Sequence, residues 1–156
     1  GGFISVHVLG IFEPVMDLHP ELFFFTPLIA AMAGNVGVQS SAIIVQGLAN
    51  NTIIGPVVER LLKELSLSLL NGVILSVILL AGSYFLLGYE IHVGYTVAIA
   101  LLSVIIMASL IGTFIPIILN KYGVDPALAT GPFITTSNDI LGILTYFTIA
   151  KIILGI

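Results

Sequence analysis

The chain has 156 residues, 58% of them hydrophobic and 8% charged, with a formal net charge of −4. A soluble domain carries roughly 25% charged residues, so a sequence with a mean hydropathy of +1.22 cannot cover a water-facing surface and belongs in lipid. Arg60, Lys63, Lys121 and Lys151 are too few to bind nucleic acid, and the absence of cysteine excludes a disulfide framework, a haem-attachment motif and a thiolate metal site.

Apolar sequence starts at once from Gly1, with no basic run ahead of it. No cleavable signal peptide is visible in it, and we expect a piece of a longer chain, with an N-terminal cytoplasmic region outside it. A spanning helix needs about 20 apolar residues. Five stretches qualify, at about residues 2–16, 21–49, 61–87, 93–120 and 126–154, the first of them short. The apolar runs are too long, and alternate too little, for strands. The expected fold is all-α: a single polytopic membrane domain over residues 1–156 with five transmembrane helices.

The connections hold almost all the charge. Glu13, Asp17, His19 and Glu21 lie between the first two helices, and Glu90 and His92 between the third and fourth. Glu59, Arg60, Lys63 and Glu64 follow Asn50-Asn51 and Gly55-Pro56 in the second connection, and Lys121, Gly123 and Asp125 occupy the fourth. Lys and Arg counts set orientation. The second and fourth connections are therefore expected in the cytoplasm, the fragment's N-terminus inside and its C-terminus outside, with Lys151 snorkelling to the outer interface. The alternation in Val58-Glu59-Arg60-Leu61-Leu62-Lys63-Glu64-Leu65 reads as the solvated first turns of the third helix.

Polar chemistry concentrates in Thr130-Gly131-Pro132-Phe133-Ile134-Thr135-Thr136-Ser137-Asn138-Asp139-Ile140-Leu141-Gly142. Asp139 sits well inside the last span, and a carboxylate at the bilayer centre costs about 2.5–3.5 kcal/mol on insertion scales. Gly131, Thr135, Asp139, Gly142 and Tyr146 share one helix face. Glycines there expose backbone carbonyls, and Pro132 is expected to free one more. The competing reading is a polar helix–helix contact, with Asp139 protonated or capped by a neighbour.

A second patch, Gly34-Asn35-Val36-Gly37-Val38-Gln39-Ser40-Ser41, lies in the second helix, with Asn35 and Gln39 one turn apart. It suits a water-filled path and interhelical hydrogen bonds equally. The donors on hand are hard oxygens, which favour Mg²⁺, Ca²⁺, Mn²⁺ or Na⁺ over zinc or copper. One carboxylate cannot neutralise a divalent ion, whereas a twofold dimer would bring two copies of Asp139. Glu13, Asp17 and Glu21 are either ordinary loop charges or a cation-collecting mouth. His7 reads as a hydrogen-bonded interior histidine, and His19 and His92 as interfacial residues.

Three stretches carry a family resemblance: Pro27 with Gly34-Asn35-Val36-Gly37-Val38-Gln39-Ser40, then Gly123-Val124-Asp125-Pro126-Ala127, then Pro132 to Asp139 followed by Gly142. In these, and in their spacing along nearly the whole chain, the sequence resembles the membrane domain of the MgtE family of magnesium channels and transporters. The resemblance implies a homodimer of five-helix subunits in the cell membrane, with helices 2 and 5 lining a central path. It implies that Asp139 is the central metal-binding acid, that Thr135 presents a backbone carbonyl to the ion and that Glu13 is an acid near the outer mouth. Gly131 and Val38 stand where relatives often carry asparagine, and Ala33 replaces a glycine.

The expected function is passage of a partly hydrated divalent cation, Mg²⁺ first and Mn²⁺ or Ca²⁺ next. Asp139, Thr135 and Glu13 would hold the metal, and Asn35, Gln39, Gly34, Gly131, Thr136 and Asn138 would line the path. The alternatives are a coupled divalent cation exchanger and a non-transporting assembly subunit. An intramembrane aspartyl protease needs two carboxylates in one site, and only Asp139 lies deep in a predicted span, so no enzyme is expected.

Overall fold

The computed structural model of the chain describes residues 1–53, 55–129 and 131–155. Their regular structure is helical throughout: α1 (Gly2–Ile11), α2 (Glu13–Leu18), α3 (Glu21–Ala49), α4 (Val57–Phe85), α5 (Ile91–Lys121), a 3-10 turn (Pro126–Ala129) and α6 (Pro132–Leu154). Four of these, α3 to α6, are long and apolar enough to cross a membrane. At 1.5 Å per residue they run about 34 to 46 Å, against a hydrocarbon core of about 30 Å.

The first predicted span is where the structure departs most. Residues 2–16 do not form one helix: the chain breaks at Phe12, and α2 restarts at Glu13 with Pro14 in its first turn. A proline there has no N–H to give the carbonyl of Gly10, so the helix cannot continue through it. With 10 residues, α1 is about 15 Å long, half of what a span needs. Phe12, at the break, stacks on Phe147 with ring centroids 5.4 Å apart. His7 does not reach the interior; it is exposed and has no hydrogen-bond partner among the described residues.

The last predicted span also divides. The 3-10 turn at Pro126–Ala129 packs against α5, Thr130 lies outside the described residues, and α6 begins only at Pro132. Gly131 sits at the break with φ 66° and ψ −135°, a conformation open to glycine. Pro132 is then the first helical residue, where a missing N–H is harmless, so it frees no carbonyl inside a helix. The Gly131 carbonyl instead accepts the Thr135 amide at 3.0 Å and the Thr135 hydroxyl at 3.1 Å.

Helix α5 is the hub and packs on α3, α4 and α6. Its buried Val93, Val97, Ala100, Leu101, Val104, Ile105 and Ala108 recur at three- and four-residue spacing, the pattern of one helix face. Helix α4 rests on α5 alone among its major contacts and turns Leu69, Leu70, Val73, Ile74, Val77 and Ile78 outward, as a lipid-facing helix does. Tyr146 of α6 donates its hydroxyl to the Leu22 carbonyl of α3 at 2.8 Å.

The helices cross closely because small residues meet. A Cβ on Gly112 of α5 would collide with the Gly37 carbonyl of α3, and one on Gly142 of α6 would lie 2.7 Å from the Ala33 Cβ. Close approach of this kind replaces the hydrophobic drive that lipid removes. Gly112→Ala should therefore cost about 1–3 kcal/mol, as overpacking does, because backbone cannot give way. Gly82→Ala, with nothing within 4 Å of the added carbon, should be neutral or stabilising. Thermal unfolding of the purified variants in detergent checks both, and a Gly112→Ala midpoint equal to that of the unsubstituted protein would contradict the packing argument.

Candidate cation site between α3 and α6

The two ends of the bundle differ in charge. At one, His19 pairs with Glu21 at 2.9 Å, His92 pairs with Glu90 at 3.0 Å, and the two imidazoles lie 6.1 Å apart by ring centroid. Glu13 and Asp17 are exposed toward this acidic end. At the other, a cavity of about 230 Å³ is lined by Glu59, Arg60 and Lys63 together with Ile117 of α5, and Lys121 closes α5 nearby.

Between these ends, α6 lies along α3 with Asp139 against Gly34. A Cβ on Gly34 would fall 2.7 Å from Asp139 Oδ1 and 3.2 Å from the Thr135 methyl. Gly34 is near the middle of the 29-residue α3, so the carboxylate stands level with the middle of that helix, although Asp139 is only seven residues beyond the start of α6. The late start of α6, after the 3-10 turn and the Gly131 break, is what brings an early residue of the helix to that level.

Asp139 is half-buried and makes no hydrogen bond or ion pair among the described residues. An ionised carboxylate accepts only, with about four lone-pair positions. Among the described residues no neighbour caps it. Thr135, one turn earlier, spends its hydroxyl on the Gly131 carbonyl. Gly34, Thr135 and Asp139 thus lie together where α3 meets α6.

The other polar residues spread around this point. Asn138 is fully buried, lies against Gly37, and neither of its amide atoms has a partner among the described residues. Thr136 faces the start of α1, where its methyl would lie 2.5 Å from a Cβ on Gly1. Asn35 is exposed on α3. Gln39 is exposed and lines a groove between α3, α4 and α5. Glu13 follows Phe12, whose partner Phe147 lies eight residues beyond Asp139, about 12 Å farther along α6.

One acid lies where the residue pattern does not put it. Glu64, expected in a solvated turn, is 9% exposed and accepts hydrogen bonds from Ser40 of α3 at 2.7 Å and Ser109 of α5 at 3.0 Å. Its spacing from Ser68, Gly72 and Ser76, the buried small residues of α4, is the sequence signal that places it on the inner face.

A family model described as "Divalent cation transporter", MgtE, matches residues 26–149. Over 150 residues the chain is 39% identical to the magnesium transporter MgtE of Bacillus subtilis, covering 96% of this chain and 33% of that protein. Identity is 32% over 154 residues with the magnesium transporter MgtE of Thermus thermophilus, covering 98% and 34%. It is 33% over 153 residues with that of Enterococcus faecalis, covering 96% and 33%. The chain spans about a third of the length of these relatives. The matched stretch runs from α3 through most of α6 and includes Gly34, Thr135 and Asp139, and the chain belongs to the MgtE family of divalent cation transporters.

Proposed function

We propose that this chain forms the membrane path of a magnesium transporter and that Asp139 holds the partly hydrated ion at mid-depth. The observation that carries this reading is a half-buried carboxylate seated on a glycine of the facing helix with no protein partner among the described residues. The relatives named above are magnesium transporters. Mg²⁺ sheds water reluctantly and is commonly held by one or two carboxylates through its remaining waters. Mn²⁺ and Ca²⁺ take the same oxygen donors, with Ca²⁺ preferring more of them.

Among the described residues no group of three or more acids, histidines or cysteines converges, so one protomer offers the ion one charge. A twofold homodimer pairing two copies of Asp139 supplies the second. In this arrangement Thr135 offers its backbone carbonyl, and Gly34, Asn35, Gly131, Thr136 and Asn138 flank the path. Glu13 gathers cations at the acidic mouth. The basic end faces the cytoplasm by the Lys and Arg rule, which sets the fragment's N-terminus inside and its C-terminus outside. Helix α1 is then part of a fifth span. Inward passage is driven by the membrane potential at about 2.3 kcal/mol per charge per 100 mV, twice that for a divalent ion.

Two substitutions in the full-length protein test the site. Asp139→Ala should lower Mg²⁺ flux into proteoliposomes at least tenfold, read with an entrapped Mg²⁺ dye; undiminished flux would overturn the assignment. Gly34→Ala places a methyl against Asp139 Oδ1 and should cut flux severalfold with little loss of thermal stability. Unchanged flux in that variant would mean that the seat of the Asp139 carboxylate on Gly34 does not govern passage of the ion.

A further inference from the structure

The groove between α3, α4 and α5 holds an acid that the Asp139 path does not use. Glu64 is seven residues into α4 and 9% exposed, and its Oε1 accepts both the Ser40 and the Ser109 hydroxyls, which lie 3.5 Å from each other. Ser40 is 4% and Ser109 1% exposed. A cavity of about 210 Å³ adjoins the three, and the exposed Gln39 and Asn71 are among the residues that line it. A water's share of liquid volume is about 30 Å³, so there is room for an ion and several waters.

Among the described residues the Glu64 carboxylate has no basic partner. No Lys, Arg or His lines this cavity, and Arg60, one turn away on α4, opens instead into the cavity at the basic end. The ion pairs among the described residues involve only His19 and His92. Two neutral hydroxyls satisfy part of the carboxylate but do not cancel its charge, and a buried charge is expensive unless paired. Each serine oxygen keeps lone pairs after donating its proton, so the hydroxyls can serve the carboxylate and a cation together.

We propose that this groove binds one monovalent alkali cation, held by Glu64, Ser40 and Ser109 with the amide oxygens of Gln39 and Asn71. The single carboxylate fixes the valence: one positive charge neutralises the cavity, whereas a divalent ion would leave one uncompensated in a low-dielectric setting. All five donors are hard oxygens, suited to such an ion. The site is separate from Asp139, because Gln39 and Ser40 project from α3 on a different side from Gly34. An occupied site would tie α4, which otherwise leans on α5, to α3.

Binding of ²²Na⁺ and ⁸⁶Rb⁺ to the full-length protein, by scintillation proximity without Mg²⁺, tests the proposal directly. At least one of the two ions should bind saturably, near one per subunit. Glu64→Gln, which keeps the shape and an acceptor oxygen, should weaken that binding at least tenfold, and Asp139→Asn should leave it within twofold. If Glu64→Gln does not yield folded protein, the Ser40→Ala/Ser109→Ala pair replaces it and should weaken binding severalfold. No saturable binding of either ion would overturn the proposal. Undiminished binding in the variants, or its loss in Asp139→Asn, would do the same.

Discussion

A charge at mid-depth in a membrane needs an oxygen-rich, water-accessible or ion-filled setting, and the placement of Asp139 answers to that need. The residue opposite it is Gly34, so the carboxylate rests on the backbone of α3 instead of on a hydrocarbon side chain. Around that contact the helices are cut to approach one another: Gly37 meets both Asn138 and Gly112, and Gly142 meets Ala33. These contacts lie on the α3 face that receives α6 and α5. Small residues let the backbones close up, and the closeness holds the acid in register.

The break before α6 belongs to the same design. The 3-10 turn packs on α5, Gly131 turns the chain, and α6 starts only at Pro132. Helix α5 anchors both sides of the bundle, receiving α3 and α6 on its buried face and α4 beside them. The two ends are differentiated by charge: histidine–carboxylate pairs at one, arginine and lysines at the other.

The four long helices are legible in the sequence because apolar length alone identifies them, and Asp139 is legible because a lone acid in such a run is costly. Family resemblance adds Thr135 and the pairing of the second helix with the last. What local reading misses depends on other elements. Pro14 sits in an apolar stretch that hydropathy treats as continuous, yet it ends α1. Glu64 follows an alternating charged turn that looks solvated, and its burial comes from Ser40 and Ser109 on two different helices. Gln39 shares a patch with Gly34 in sequence and lines the groove beside α4. Pro14 acts through its own missing N–H, whereas for Glu64 tertiary contact decides the environment of the side chain.

The central claim is that Asp139 touches the ion in passage. Crystals of the full-length protein soaked in Mn²⁺, with anomalous scattering recorded at the manganese edge, test it most directly. The account predicts a peak within a hydration shell of the Asp139 carboxylate, beside Gly34 and between two subunits. Manganese bound elsewhere in the membrane domain, with the Asp139 side chain turned to lipid, would contradict it.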